Sequence, residues 1–181
     1  MNGSATLTKL IWLFIEKGYE GTTLEAIAAA SGIARRTFFY YYKSKDEILM
    51  ATLGSGMVEA LHPALLKQSK DQAPLNAVRN CLLQLTSLYE TKELIVVDEL
   101  LRSTEALRAR KQAIFVEMEQ SVFCALCELW PQAKRRAAHR MVAMVSIGAM
   151  RVAMEAWRHD GGKKPLSKYL RESFATLESE I

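Results

Sequence analysis

Two consecutive arginines carry the most specific chemistry in this sequence. Arg35 and Arg36 can each donate a pair of hydrogen bonds, and that geometry fits the O6 and N7 acceptors of guanine in the major groove of DNA. The alternative is an ordinary solvated pair of arginines. Several residues around the two arginines have side chains suited to phosphate contacts, which position a protein on DNA without reading its sequence. They are Thr23, Thr37, Tyr40, Tyr41 and Lys45. Base reading requires both arginines to lie at the N-terminal end of a helix that enters the groove.

The surrounding residues predict such a helix within a helix-turn-helix. Thr22 and Thr23 are good N-caps, and Thr22 with Glu25 forms a capping-box pattern that opens a short helix. Gly32 supplies the tight turn, and an apolar residue directly after it plugs the corner. The next helix is expected over about 34–42, which places both arginines in its first turn.

The rest of the chain also shows helical spacing, without the two-residue alternation of strands. A second capping box at 44–47 opens a fourth helix. Glycines and Pro63 weaken the helical pattern over 54–63, and a polar loop is predicted at 67–74. Further helices are predicted at 75–90, 93–129 with a break near Ser103, 133–159 and 166–180. We therefore predict an all-α protein with a three-helix DNA-binding module at 1–50 and a helical regulatory and dimerisation domain at 51–181.

Composition limits the classes of function. The chain has 181 residues and a formal net charge of +4, which tolerates a nucleic-acid partner without demonstrating one. It lacks a Gly-rich phosphate loop, a nucleophile elbow and paired carboxylates in an apolar setting, so we expect no enzyme and no cofactor. Without a signal peptide or a membrane-spanning run, and with an odd number of cysteines, the chain is expected to be cytoplasmic.

The stretch 13–49 resembles the signature of the TetR family of transcriptional regulators. The matching residues are Leu13, Phe14, Gly18, Tyr19, Thr22, Thr23, Ile27, Ala28, Gly32, Ile33, Thr37, Phe38, Phe39, Tyr41, Tyr42, Ser44, Lys45, Ile48 and Leu49. The resemblance implies a homodimeric repressor that binds a palindromic DNA operator and carries a ligand pocket in its C-terminal body. It also implies phosphate contacts by Thr37 and Tyr41. Arg36 departs from the pattern, because many members have glycine there.

Large and adaptable side chains in the C-terminal body suggest a mostly apolar cavity for a small-molecule effector. The candidate lining residues are Tyr89, Phe115, Met118, Met144 and Trp157. An apolar or acyl-type effector is the class that we expect. The alternative is that these side chains form close-packed core.

The last two predicted helices are the candidates for a dimer interface, because a palindromic site requires a two-fold axis. The helix predicted at 133–159 is apolar nearly all the way round, so it can be covered on two sides. The interface residues predicted on these helices are Ile147, Met150, Leu170 and Phe174.

A CxxC pair supports a different class of function. Cys124 and Cys127 could serve a thiol-based redox sensor or redox protein. A zinc site needs four ligands, and the three histidines are scattered, so no metal is expected. The alternative for both cysteines is that they are small buried hydrophobes.

Overall fold

The computed structural model describes residues 12–14, 16–52, 55–89 and 94–180. Across these residues the regular structure is helical and contains no β-strand, which confirms the predicted all-α class. Helix α1 covers 12–14 and 16–21. The helices that follow are α2 (Leu24–Ser31), α3 (Arg35–Tyr41), α4 (Lys45–Thr52), α5 (Ser55–Leu66), α6 (Pro74–Tyr89), α7 (Leu94–Ser103), α8 (Glu105–Leu129), α9 (Arg136–His159) and α10 (Leu166–Glu180).

The predicted break inside 93–129 is present, and side-chain hydrogen bonds explain its position. Helix α7 ends at Ser103, whose hydroxyl donates to the carbonyl oxygen of Leu100 at 2.8 Å. Thr104 then caps α8, because its Oγ1 accepts a hydrogen bond from the backbone N–H of Leu107 at 3.2 Å. A hydroxyl that satisfies a free backbone donor allows one helix to end and another to begin at once.

The capping box predicted at Thr22 was wrong by one residue. The N-cap of α2 is Thr23, whose Oγ1 accepts from the N–H of Ala26 at 3.1 Å. Thr22 is fully buried, and its hydroxyl lies 2.7 Å from the carbonyl oxygen of Gly18 and 3.2 Å from that of Leu13. Thr22 therefore joins α1 to the start of α2, a tertiary role that the local pattern does not reveal.

Helix α5 continues through Pro63, where the sequence predicted a weakened segment. A proline inside a helix removes one backbone hydrogen bond and crowds the preceding turn. Leu61 and Leu65 on either side are completely buried, so their burial favours the helix in spite of that loss. The polar loop predicted after it is present, because 67–73 contain no regular helix.

The chain forms two compact units. Unit 1 contains the described residues of Met1–Ser55 and Lys92–Gln112, and unit 2 contains those of Gly56–Thr91 and Ala113–Ile181. Unit 1 is therefore discontinuous in sequence, because α7 and the start of α8 belong to it. The functional division into 1–50 and 51–181 stays a prediction.

The core of unit 1 combines side chains from the helix-turn-helix with side chains from α7 and α8. Its buried apolar members are Phe14, Ile27, Ala28, Phe38, Ile48, Leu49, Leu100, Leu101 and Leu107. Beside this apolar cluster, the buried Lys111 ammonium donates to the buried carboxylate of Asp98, which links α8 to α7.

In unit 2, helices α6, α9 and α10 pack against one another. The turn after α9 uses two glycines in the left-handed region, Gly161 and Gly162, whose N–H groups donate to the carbonyls of Arg158 and Trp157. The Tyr169 hydroxyl then donates to the Asp160 carboxylate, which ties the start of α10 to this turn. None of the described helices is both long enough and apolar enough to cross a bilayer.

Candidate nucleic-acid interface

The turn between α2 and α3 has the geometry of a helix-turn-helix corner. Gly32 ends α2 at φ 70° and ψ 9°, a left-handed conformation that other residue types adopt at a cost. The Ser31 hydroxyl donates to the carbonyl of Ala28 at 2.7 Å and accepts from the N–H of Ile33 at 3.1 Å. Ile33 packs against the apolar cluster of unit 1, so the sharp change of direction is fixed from both sides.

Helix α3 divides its side chains between core and surface. Phe38 is 2% exposed and contacts the rings of Phe39 and Tyr42 at centroid distances of 5.6 and 5.3 Å. The side chains that it turns outward are Arg35, Arg36, Thr37, Tyr40 and Tyr41. One face of α3 thus anchors the helix, and the other presents two cations and three hydroxyls to solvent.

The two arginines differ in how firmly they are held. The Arg35 guanidinium lies 5.5 Å from the centroid of the Phe39 ring, which restricts where its donors point. Within the described part of the chain, Arg36 has neither a hydrogen bond nor an ion pair and remains free to extend. Arg36 is therefore the more adaptable donor, whereas Arg35 is the more preorganised one.

Lys45 and Thr23 both make contacts within the protein. The Lys45 ammonium donates to the carbonyl oxygen of Tyr19 at 2.7 Å and lies 4.4 Å from the centroid of its ring. Thr23 is exposed, and its hydroxyl oxygen serves as the cap of α2. Either side chain retains hydrogen-bond donors for a phosphate, because an ammonium has three donors and a capping hydroxyl keeps its own proton.

The residues predicted to line an effector cavity have different environments. Phe115, Met118 and Trp157 are buried in unit 2. Met144 is 48% exposed, so it does not line an enclosed cavity in this conformation. Tyr89 is the last residue of α6, and its side chain lies outside the described part of the structure. Trp157 Nε1 is buried without a hydrogen-bond partner among the described atoms, so it is an unsatisfied donor among apolar side chains.

The structure contradicts the four residues predicted for the dimer interface. Ile147, Met150, Leu170 and Phe174 are 0–3% exposed within the subunit, so they form its own core. The opposite face of α9 exposes large apolar side chains instead, which are Met141, Met144 and Val152, with Val145 and Gly148 half-buried between them. Helix α9 is apolar on both faces, and periodicity alone cannot tell which face packs inward.

The two cysteines of the CxxC pair are partly exposed, not fully buried. Cys127 Sγ lies 3.8 Å from Nδ1 of His139, and Cys124 Sγ accepts from Nε2 of Gln120 at 3.2 Å. The described residues contain no group of three or more His, Cys, Asp and Glu side chains that could hold a metal ion. Sequence reasoning missed both Gln120 and His139. The contact between Gln120 and Cys124 could have been predicted from their four-residue spacing on one helix.

Comparison with known proteins agrees with this geometry. Residues 11–52 match the sequence model described as bacterial regulatory proteins, tetR family, and residues 72–181 match the MftR C-terminal domain. TcmR of Streptomyces glaucescens, an HTH-type transcriptional regulator, is 39% identical over 66 residues, which are 36% of this chain and 29% of TcmR. The chain therefore matches less than a third of that relative's length.

Two solved structures have the same fold. FadR of Bacillus subtilis, in complex with stearoyl-CoA, superposes with a TM-score of 0.67 at 19% identity, covering 98% of both chains. SmeT, the repressor of a multidrug efflux pump of Stenotrophomonas maltophilia, superposes with a TM-score of 0.65 at 22% identity, covering 97% of this chain and 90% of SmeT. The two sequence-model matches together span most of the chain, and the chain belongs to the tetR family of bacterial regulatory proteins.

Proposed function

We propose that this protein is a dimeric, effector-controlled transcriptional repressor that reads a palindromic DNA operator with α3. The observation that carries the proposal is the division of α3, where Phe38 is buried in the core and Arg35, Arg36 and Tyr40 face solvent. We further propose that the protein is not an enzyme and that it acts in the cytoplasm.

In this proposal the first turn of α3 enters the major groove. Arg36 extends to the O6 and N7 atoms of a guanine, and Arg35, restricted by the Phe39 ring, contacts a neighbouring base edge or phosphate. Tyr40 and Tyr41 are 74% and 65% exposed and present hydroxyls for the phosphates that flank the site. Thr23, Thr37 and Lys45 complete the phosphate contacts.

Replacement of Arg36 tests the proposed reader. An operator is first selected from random duplex DNA with the wild-type protein and then titrated with Arg36→Ala at fixed salt. We expect Arg36→Ala to weaken binding by about 1–3 kcal/mol and to relax specificity at one position of each half-site. The matched control is Arg171→Ala, which removes an exposed arginine of α10 and should leave affinity unchanged. Unchanged affinity and specificity in Arg36→Ala would refute the proposal that Arg36 contacts a base.

We infer that the second subunit covers the outer face of α9. Met141, Val145, Gly148 and Val152 follow one another at helical spacing along that face, and Gly148 has no neighbouring atom within 4 Å of the point where a Cβ would lie. A small residue in the middle of an apolar stripe allows a symmetry-related helix to approach closely. This face replaces the four residues predicted from the sequence.

For the effector we propose an apolar or acyl-type molecule bound in unit 2. Buried Phe115, Met118 and Trp157 offer apolar surface, and the unpaired Trp157 Nε1 offers one hydrogen-bond donor. Among similar structures, FadR was solved with stearoyl-CoA and SmeT with triclosan. Release of the selected operator by such molecules, and loss of that release in Trp157→Phe, would support the assignment. Operator binding that no such molecule affects would contradict it.

A further inference from the structure

Two thiols and an imidazole meet in unit 2, where the C-terminal part of α8 faces the start of α9. Cys127 Sγ lies 3.8 Å from His139 Nδ1, and Cys124 lies one helical turn before Cys127. Both thiols are partly exposed, so a small reagent can reach them. We propose that these cysteines form a reactive pair that a hydroperoxide converts to a disulfide, with His139 as the proton acceptor. This proposal is independent of DNA or effector binding.

The position of His139 Nδ1 beside Cys127 Sγ suits the imidazole to receive the thiol proton and pass it on to the leaving group. The side chain is 2% exposed, and burial, with Arg135 as a further cause, lowers the pKa of the imidazole below its ordinary value. The ring is therefore neutral near pH 7, and a neutral imidazole has one nitrogen that can accept. Its Nε2 has no hydrogen-bond partner among the described atoms. No hydrogen bond at Nε2 therefore turns the ring away from the orientation in which Nδ1 faces the thiol.

The segment that leads from α8 into α9 is positively charged. Residues 131–140 contain four lysines and arginines and no acidic residue. Arg140 donates to Oε1 of Gln120 at 3.0 Å, and Nε2 of the same amide donates to Cys124 Sγ at 3.2 Å. The Arg140 guanidinium also lies 4.0 Å from the centroid of the Phe123 ring. Gln120 therefore links Arg140 to Cys124, which restrains the position of that thiol.

The proposed reaction consumes one hydroperoxide. Cys127 Sγ attacks the terminal oxygen of the hydroperoxide, the O–O bond breaks, and the thiol proton passes through His139 to the leaving alkoxide or hydroxide. The products are a sulfenic acid on Cys127 and an alcohol or water. Cys124 Sγ then attacks the sulfenic sulfur, and water leaves as the S–S bond forms. The protein loses two electrons and two protons, and the hydroperoxide gains them.

Helix geometry predicts a conformational consequence. Two residues three apart in an α-helix have Cα atoms about 5 Å apart, which suits a disulfide. Their Cβ atoms, however, are about 5–6 Å apart, whereas a disulfide needs roughly 3.5–4.5 Å. Bond formation must therefore distort the last turn of α8, which ends at Leu129. The distortion would also separate Cys127 from His139, and so oxidation would change how α8 meets α9.

Cys81 provides an internal control. Its side chain is completely buried, and burial raises the pKa of its thiol to about 12. A folded protein should therefore leave Cys81 unmodified while Cys124 and Cys127 react. Modification of Cys81 reports unfolding.

In the test, the protein is treated with hydrogen peroxide and the thiols that remain are blocked with iodoacetamide. Mass spectrometry then identifies the state of each cysteine. We expect a Cys124–Cys127 disulfide, unmodified Cys81, and a rate at least about tenfold above that of glutathione, because a positioned proton acceptor assists the attack. A rate no higher than that of glutathione, or peroxide that leaves both thiols free, would overturn the proposal.

Single variants assign the roles. Cys124→Ser should stop at a sulfenic acid on Cys127 that dimedone traps, whereas Cys127→Ser should give no dimedone adduct on Cys124. His139→Gln should slow oxidation of Cys127 by about tenfold or more. An adduct on Cys124 in Cys127→Ser, or an unchanged rate in a folded His139→Gln, would contradict the assigned roles. If Cys81 labelling shows that His139→Gln is unfolded, the two serine variants decide the question.

Discussion

Neighbouring threonines have different roles at the start of α2. The Thr23 hydroxyl accepts from the N–H of Ala26, a local contact within one helical turn. The Thr22 hydroxyl lies between the carbonyl oxygens of Gly18 and Leu13, and its side chain is completely buried. Water can replace the exposed cap at modest cost, whereas it replaces the part-buried hydrogen bonds of the buried Thr22 hydroxyl less easily.

Substitution at each threonine should distinguish these roles. Thr23→Ala is expected to lower the free energy of unfolding by about 1 kcal/mol through loss of the cap. Thr22→Val keeps the shape but removes the donor, and we expect a loss of about 1–2 kcal/mol. Urea denaturation followed by circular dichroism measures both, with Thr176→Val on the exposed surface of α10 as the control. A fully stable Thr22→Val would contradict the role of its hydroxyl.

His139 predicts a pH dependence of stability. Because its pKa is lowered in the folded state, the unfolded chain binds a proton more readily than the folded one. The stabilisation is fully present above about pH 6.5, the ordinary histidine value, and is lost as the pH falls through the lowered folded pKa.

We therefore expect the wild-type free energy of unfolding to fall between about pH 7.5 and about pH 5.5 more steeply than that of His139→Gln. Exposed His159 is the matched control, and His159→Gln should keep the wild-type slope. The measurement is urea denaturation at both pH values. Parallel curves for the wild type and His139→Gln would show that this histidine is not the group responsible.

At the scale of elements, a buried ion pair joins α7 to α8 in unit 1. Asp98 is 2% and Lys111 is 8% exposed, so both charges have lost most of their water. The pairing of such charges offsets the desolvation, and removal of one partner takes this compensation away from the charge that stays buried.

Lys111→Met should therefore lower the free energy of unfolding by about 3–5 kcal/mol. The double variant Asp98→Leu with Lys111→Met removes both charges and should regain most of that loss, because well-packed apolar residues can replace a buried pair. Chemical denaturation of the wild type, the single variant and the double variant tests this. Equal losses in the two variants would show that packing, and not the lost pairing of charges, sets the cost.

For the whole molecule, the outer face of α9 carries the proposed dimer. Val152 is 58% exposed on that face, and Val116 on α8 is 62% exposed. A carboxylate at the centre of an apolar interface would be desolvated without a partner. We expect Val152→Glu to sediment as a monomer at micromolar concentration and to lose operator binding, whereas Val116→Glu should remain dimeric. A monomeric wild type, or a dimeric Val152→Glu, would exclude this interface.

The sequence by itself determined the all-α class, the break between α7 and α8 and the helix-turn-helix. These features depend on local chemistry: Gly32 adopts the left-handed conformation that the corner requires, and the hydroxyl of Thr104 caps α8 after the break. Caps and tight turns act over a few residues, so their signals are complete within a short stretch of sequence.

Tertiary structure alone decided which apolar faces are buried and which polar groups meet. Helix α9 is apolar on two faces, and only packing against α6 and α10 determines that Ile147 lies inside and Val152 outside. The contact of Cys127 with His139 likewise joins two helices that are separate in sequence. Helical periodicity gives the direction of each side chain around its own axis, but the neighbour that each direction meets depends on how the helices pack.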